Sequence, residues 1–351
     1  MSSSTSAPIQ TDILDHIVFL SPPGTLSSTI QKFTDLGFNV LKGGSHADNL
    51  TSNALIILSS KVYIELIAFD HPLDPPSPPS PDSPPHPHYP PGSDERKARE
   101  NHRWAHTRVS EGWIDFANLG TDEGVWKVVN ERFGGGDGDD DGNGGKGGGE
   151  GGEGGGLYAA PVEGGRVTTE GKVLKWRVTP PVVSEDEVGK IKKVELPFFC
   201  EDITPREWRV PASEENVTHP SKVLAVSHLR YMASEETFES TLSKFTAIIG
   251  TPPSLSSSPS PSSPESQNQN QTESQTEAES QKSKEAKEAS WSLNSPLFHE
   301  YGTTLHLSTP HTPAEVARAT GLWEVGFWTE GGEEEKVVET GSYKISWKSI
   351  T

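Results

Sequence analysis

Apolar positions along this chain fall into short runs that switch between two periods. Leu14-Asp-His-Ile-Val-Phe-Leu20 and Val62-Tyr-Ile-Glu-Leu-Ile-Ala-Phe69 are rich in Ile, Val and aromatic residues, as β-strands are. Between them Leu26, Ile30 and Phe33 recur at helical spacing, and Leu36-Gly-Phe38 leads towards two more strand-like segments. The order is strand, helix, strand, strand, strand. It recurs in a second unit that starts at Gly112-Trp-Ile-Asp-Phe-Ala-Asn-Leu119, with Val125, Val128, Val129 and Phe133 on its helix, and ends near Ile203. A third, shorter unit starts at Val223-Leu-Ala-Val-Ser-His-Leu-Arg-Tyr231 and has Phe238, Leu242, Phe245 and Ile249 on its helix. It closes with Thr303-Thr-Leu-His-Leu307, Gly321-Leu-Trp-Glu-Val-Gly-Phe-Trp328 and Tyr343-Lys-Ile-Ser-Trp347. A helix with one apolar face must pack on something, and here that is a sheet. In the last strand of the first unit Tyr63, Glu65, Ile67 and Phe69 share one face, and Val62, Ile64, Leu66 and Ala68 the other. Both faces are apolar apart from Glu65. The pattern predicts an α+β protein whose sheet carries helices outside and encloses a cup inside.

Composition marks what lies outside these units. Only 31% of residues are hydrophobic, and the 34 Gly and 29 Pro cluster in tracts, which marks those tracts as linkers. Residues 1–11 read as a disordered leader, 72–93 as an extended Pro-rich linker, and 134–156 and 251–290 as disordered inserts. Ser93 is placed to cap a charged helix from Asp94 to about Trp104. The predicted organisation is a domain over 12–212, built from modules 12–70 and 112–203, and a C-terminal module over 222–351. The net charge of −20 sits mostly in the solvated tracts, and no basic stripe exists to meet phosphates, so nucleic acid is excluded as a partner. A single cysteine rules out an internal disulfide framework. The polar N-terminus lacks a signal-peptide core, and no apolar run is long enough for a bilayer. A cytoplasmic protein without membrane contact is expected.

Two strands carry chemistry in their middles. An imidazole and a carboxylate in apolar strands, His16 and Glu65, are costly to bury unless something satisfies them. They are metal ligands or a hydrogen-bonded core pair. His46 follows Gly43-Gly44, which allow close backbone approach, and is either an acid-base group or a turn histidine. Thr51 and Asn53 either hold a polar group of a substrate or satisfy a loop. Glu201 follows Phe198-Phe199 and is a partly buried carboxylate, whereas Cys200 reads as a small core hydrophobe. Arg206 and Arg209 either bind an anion or pair within a loop. His228 and Glu324 repeat the His16 and Glu65 theme in the third unit. His86, His88, His102 and His106 flank the Pro-rich linker and are read as solvated.

The segments Leu14-Asp-His-Ile-Val-Phe19, Leu36-Gly-Phe38, Gly43-Gly-Ser-His46, Thr51-Ser-Asn-Ala-Leu-Ile56 and Tyr63-Ile-Glu-Leu-Ile-Ala68 occur in an order that resembles a glyoxalase-like domain of the vicinal oxygen chelate superfamily. Gly112-Trp-Ile-Asp-Phe116, Leu174-Lys-Trp-Arg-Val178 and Leu196-Pro-Phe-Phe-Cys-Glu201 extend the resemblance into the second module. It implies paired βαβββ modules curled into a U-shaped barrel, with an additional C-terminal module. It also implies a divalent metal ion held by His16 and Glu65 from the first module and Asp115 and Glu201 from the second. Asp115 departs from the family pattern, in which His or Gln is frequent. The activity implied is a metal-dependent lyase, isomerase or dioxygenase type of reaction on a small oxygen-rich substrate, with His46 and Glu201 as acid-base groups and Thr51 and Asn53 contacting the substrate. The alternative in the same fold is a non-catalytic protein that sequesters a small molecule in a cup lined by Trp113, Trp176, Phe198 and Phe199.

Overall fold

A computed structural model describes residues 8–74, 88–105, 107, 109–122, 124–134, 156–168, 171–182, 196–255, 287–318, 320–331 and 336–350. Most of the inserts expected at 134–156 and 251–290, more than half of the linker 72–93, and His86 and His106 lie outside the described residues.

The first module runs β1 (Leu14–Ser21), α1 (Leu26–Asp35), β2 (Leu41–Ser45), β3 (Thr51–Ile57) and β4 (Tyr63–Phe69). Gly37 ends α1: at φ 90° it adopts a conformation that suits glycine, and Phe38 N–H returns to the Phe33 carbonyl at 3.0 Å. The turn drops Phe38 beside Phe33, whose ring meets the edges of Phe19 and Trp113 under the sheet. A linking helix, α2 (Asp94–Asn101), follows; Ser93 caps it by accepting the Arg96 N–H at 3.1 Å. The second module is β5 (Gly112–Leu119), α3 (Val125–Gly134), β6 (Val162–Val167), β7 (Val173–Thr179) and β8 (Phe198–Asp202). Two short helices, α4 (Arg206–Arg209) and α5 (Glu214–Val217), lead out of it.

These strands form one eight-stranded sheet in the order β2-β3-β4-β1-β5-β8-β7-β6. β1 is parallel to β4, with His16 opposite Tyr63, and antiparallel to β5, with Val18 opposite Asp115. The sheet curls until its edges meet: His46, just past β2, bridges Arg166 of β6, and Ala47 N–H bonds the Gly165 carbonyl at 3.1 Å. The result is a nearly closed cup, as the resemblance implied.

The C-terminal region holds more than one module. It contains β9 (Val223–Met232), α6 (Phe238–Ile249), β10 (Ser254–Leu255), β11 (Glu288–Leu293), β12 (Thr303–Ser308), α7 (Pro313–Arg318), β13 (Gly321–Glu330), β14 (Val337–Glu339) and β15 (Lys344–Ile350). They form a seven-stranded sheet, β10-β11-β12-β9-β13-β15-β14, whose order repeats that of the first sheet with one strand fewer. The segment Gly321–Trp328, read from sequence as a closing strand of the third unit, pairs antiparallel with β9 as β5 does with β1. It therefore opens a fourth, abbreviated unit. The sequence hides this because, among the described residues, no helix follows β13 to announce it.

The two sheets share a core. Outward-facing Phe19, Trp113 and Phe116 of the first pack with Val325, Phe327 and Trp347 of the second, and α3 lies beside α6. Polar bonds pin the contact: Trp113 Nε1–H donates to the Lys344 carbonyl at 2.9 Å, and Arg318 donates to the Trp113 carbonyl at 2.5 Å. Trp113 is thus a structural residue between the sheets, and not part of a ligand cup. Among the described residues no helix is long and apolar enough to cross a membrane.

Candidate functional site

The concave face of the first sheet encloses a cavity of about 360 Å³. His16, His46, Thr51, Asn53 and Glu65, all singled out from the sequence, are among the residues that line it. His16 is buried in β1. Its ring stacks on Tyr63 at 4.6 Å and meets the edge of Phe198 at 5.2 Å. Its Nδ1 lies 2.7 Å from an oxygen of Asp15, and its Nε2 lies 3.9 Å from Glu65.

Asp15 is fully buried, and sequence reasoning passed over it. Arg206 reaches it at 2.5 Å and Arg209 at 3.0 Å, while Arg209 also holds Asp202 at 2.6 Å and the Tyr63 hydroxyl at 2.7 Å. Burial opposes ionisation of Asp15, but Arg209, Arg206 and His16 outweigh it and hold the carboxyl well below its ordinary range. An ionised carboxylate only accepts, so the short contact places a proton on His16 Nδ1. Nε2 is then the ring atom free to act at the cavity. Its signal in the sequence was an acidic residue beside a histidine in an apolar strand. Arg206 and Arg209, expected either to bind an anion or to pair in a loop, pair with Asp15 and Asp202 from the short helix α4, and Arg209 also lines the cavity.

Glu65 sits across the cavity floor on β4. Asn53 Nδ2 donates to it at 2.6 Å and His46 Nε2 lies 3.5 Å away, while His46 Nδ1 is 2.7 Å from the Thr51 hydroxyl. Burial again opposes the charge, but His46, His16 and Asn53 more than offset it and bring the pKa down to about 2. Asn53 is itself oriented, because the Gly44 N–H donates to its Oδ1 at 3.1 Å. The Gly43-Gly44 pair is needed for this: a Cβ on Gly43 would fall on the Asn53 side-chain oxygen and 2.6 Å from its backbone carbonyl oxygen. Gly43→Ala is expected to cost about 1–3 kcal/mol of stability, from forced repacking of Asn53. Denaturant unfolding checks this, and an unchanged midpoint would show that Asn53 is not held as described.

Several predicted features take other places. Asp115 does not line the cavity: its carboxylate is bonded by Arg103 at 2.7 Å, Trp104 Nε1–H at 3.1 Å and the Phe116 N–H at 3.0 Å. Glu201 points to the other face of β8 from the cavity-lining Phe198 and Cys200, and pairs with Arg177 at 3.3 Å. His102, expected to be solvated beside the linker, lines the cavity with Trp104, because α2 brings it there. Burial lowers its pKa to about 4, so it is neutral at pH 7. Trp176 and Phe198 line the cavity, whereas Phe199 packs on Tyr158. Cys200 is raised to about 12 by burial, so it is no thiolate nucleophile.

A divalent ion bound in the family manner needs one donor from the first and last strands of each module. The first module offers His16 and Glu65. In the second, Asp115 is already bonded to Arg103 and Trp104, Glu201 faces away, and the inward positions of β8 are Phe198 and Cys200. Among the described residues no three metal-ligating side chains come together as one set. The donors present do not fit the four-ligand arrangement.

The second sheet carries a counterpart of this geometry. Register places Thr304 opposite His228, as Tyr63 is opposite His16, so His306 stands where Glu65 stands. Glu324, opposite Arg230, corresponds to Asp115 and not to Glu65. It nevertheless reaches His228 Nε2 at 3.3 Å, and Lys344 at 3.2 Å. Ser227 occupies the position of Asp15 and lies 3.0 Å from His228 Nδ1. His228 therefore has a hydroxyl where His16 has a carboxylate at Nδ1, and its carboxylate partner Glu324 lies on the Nε2 side.

A curled sheet of paired βαβββ modules, with polar side chains grouped in its hollow, defines a glyoxalase-like protein. Residues 14–246 match the Glyoxalase-like domain family, and the chain belongs to it. Proteins of this superfamily often use a divalent metal. A solved hypothetical protein from Staphylococcus aureus is similar in fold, with a TM-score of 0.55 at 10% identity, over 96% of this chain and 99% of that one. A mutant of 4-hydroxymandelate synthase from Streptomyces coelicolor aligns with a TM-score of 0.44 at 10% identity, over 92% of this chain and 72% of that one. A xylose isomerase-like TIM barrel/4-hydroxyphenylpyruvate dioxygenase fusion protein aligns with 0.41 at 10% identity, over 94% of this chain and 39% of that one. At these last two scores the likeness carries no argument about activity. No curated protein matches the sequence.

Proposed function

We propose that the cavity of the first sheet binds a small molecule bearing adjacent oxygens, and that His16 moves a proton on it. The observation that carries the reading is the Asp15–His16 pair, with Nδ1 tied to a buried, ionised carboxylate and Nε2 turned to the cavity opposite Glu65. Asp15 orients the ring and stabilises the imidazolium formed when Nε2 accepts a proton. Glu65 stays ionised at neutral pH and accepts a hydrogen bond from a ligand hydroxyl. With a pKa near 2 it is a poor base, which leaves that task to His16. Trp104, Trp176 and Phe198 cover the apolar part of the ligand. The reaction class is removal of a proton from the hydroxyl-bearing carbon beside a carbonyl and its return at the former carbonyl carbon, with the hydroxyl proton passing to the former carbonyl oxygen by way of His46, an isomerisation. The transfer uses only side chains of this chain.

The test is deuterium uptake, followed by NMR, in a panel of small α-hydroxyketones in D2O. The full chain should accelerate exchange for at least one member, and His16→Gln should slow it by about 10²-fold or more. Exchange that is equally fast in His16→Gln would remove His16 from the mechanism. Saturable binding without exchange would leave the sequestering protein, a reading that the aromatic wall of the cavity favours.

A further inference from the structure

Five carboxylates are buried among the described residues: Asp15, Glu65, Asp115, Glu315 and Glu324. All but Glu65 meet a permanent cation. Asp15 has Arg206 and Arg209, Asp115 has Arg103 at 2.7 Å, Glu315 has Arg230 at 2.6 Å, and Glu324 has Lys344 at 3.2 Å. The partners of Glu65 among the described residues are Asn53, His46 and His16, with no ammonium or guanidinium group. Glu65 is ionised at pH 7, and its open side is the cavity. A buried charge is tolerated where an opposite charge meets it, and here the side from which one can come belongs to the ligand.

The other charges of the lining point the same way. Asp48 and Glu163 are exposed and line the cavity where the sheet edges meet. Two arginines also line it. Arg209 is bound by Asp15 and Asp202, which leaves Arg166 against the carboxylates of Asp48, Glu65 and Glu163. A surplus of negative charge in a hollow raises the local concentration of cations. The walls suit an organic cation, because indole faces attract positive charge. Trp104 lines the cavity and is fixed by its Nε1–H on Asp115. Trp176 lines it from β7, opposite Gly164 of β6. A Cβ on Gly164 would come within 2.7 Å of the Trp176 indole nitrogen, so glycine is what lets the ring lie against β6.

We propose that the ligand of this cavity is a hydroxylated organic ammonium compound, whose positive nitrogen lies on the indoles of Trp104 and Trp176 and is neutralised by Glu65. The hydroxyl beside the nitrogen donates to the same carboxylate. The aromatic wall then holds the charged end of the ligand, not only an apolar one. This rests on the cavity being the ligand site, but not on the proton transfer assigned to His16.

The experiment is isothermal titration of the full chain, with EDTA present so that no divalent ion competes for the carboxylate. The probes are choline and its neutral carbon isostere, in which a tert-butyl group replaces trimethylammonium and the hydroxyl is kept. Choline is expected to bind saturably, and the isostere about tenfold more weakly or worse. Glu65→Gln should weaken choline by about tenfold or more and leave the isostere unchanged, which closes the gap between the two probes. Asp48→Asn with Glu163→Gln, both at exposed positions, should weaken choline and flatten its dependence on salt. That double variant keeps the idea open to refutation if Glu65→Gln does not fold. No saturable binding of choline, an isostere that binds as tightly, or choline binding undiminished in folded Glu65→Gln would each overturn the cation subsite. Deuterium uptake by neutral hydroxyketones separates the two readings. Uptake without a preference for choline overturns this one alone, and choline binding without uptake supports it while removing the proton transfer.

Discussion

Asp15→Ala is expected to cost about 3–5 kcal/mol of stability, among the largest effects of any single substitution in this chain. Asp15 has no exposed surface and accepts from two guanidinium groups and one imidazole. Its removal leaves Arg206 and Arg209 facing each other with Asp202 as their shared carboxylate. Two positive charges remain partly or wholly buried, and the penalty of an uncompensated buried charge exceeds the loss of any one bond. The same substitution frees the His16 ring from its fixed tautomer, so proton exchange should fall together with stability. Asp15→Asn should separate the two effects. It retains hydrogen-bonding capacity and restores part of the stability, but it cannot hold an imidazolium. Urea unfolding of both variants checks the first effect, and deuterium uptake checks the second. An Asp15→Ala protein within 1 kcal/mol (roughly the scale of a single surface substitution) of wild type would show that the cluster does not hold β1, β8 and α4 together.

Acid should unfold this protein through identifiable groups. Glu65 and Glu324 each have a folded pKa of about 2 against an ordinary value of 4.5, and Asp15 is shifted in the same direction. In each case the folded pKa lies below the unfolded one, so the unfolded chain binds the proton first as pH falls. The stability that Glu65 and Glu324 contribute is complete above about pH 4.5 and is lost progressively down to about pH 2. For Glu65, which is fully buried, the shift corresponds to about 3 kcal/mol. Glu65→Gln should therefore be less stable than wild type at pH 7, and its unfolding free energy should fall less steeply through this window, by about one proton. Chemical unfolding at a series of pH values checks both. A Glu65→Gln profile parallel to wild type would mean that the two imidazoles and Asn53 do not stabilise the carboxylate.

By itself the sequence determined the local elements. Periodicities of two and of three to four residues placed the strands and helices of the first module, and the cap at Ser93 fixed the start of α2. These signals are local: backbone geometry and amphipathic burial act over a few residues, so they are written in a few residues. The same holds for His16 and Glu65 as the odd polar groups in apolar strands. A buried polar side chain in such a run announces itself wherever the chain goes next.

Only the tertiary structure decided the rest. Asp115 and Glu201 stand in strand positions that resemble those of His16 and Glu65, but a bulge in β1 and β5 and the arrival of Arg103 and Trp104 occupy the first, and the alternation of β8 turns the second outward. A one-residue change of phase reverses the face of a strand, and the sequence does not state the phase relative to a neighbour. Asp15 gained its role from arginines nearly 200 positions away, and Gly321–Glu330 became the start of a fourth unit only through its pairing with β9. Those relations are set by which strands lie side by side. Pairing is a property of the folded sheet, whereas periodicity is a property of the chain.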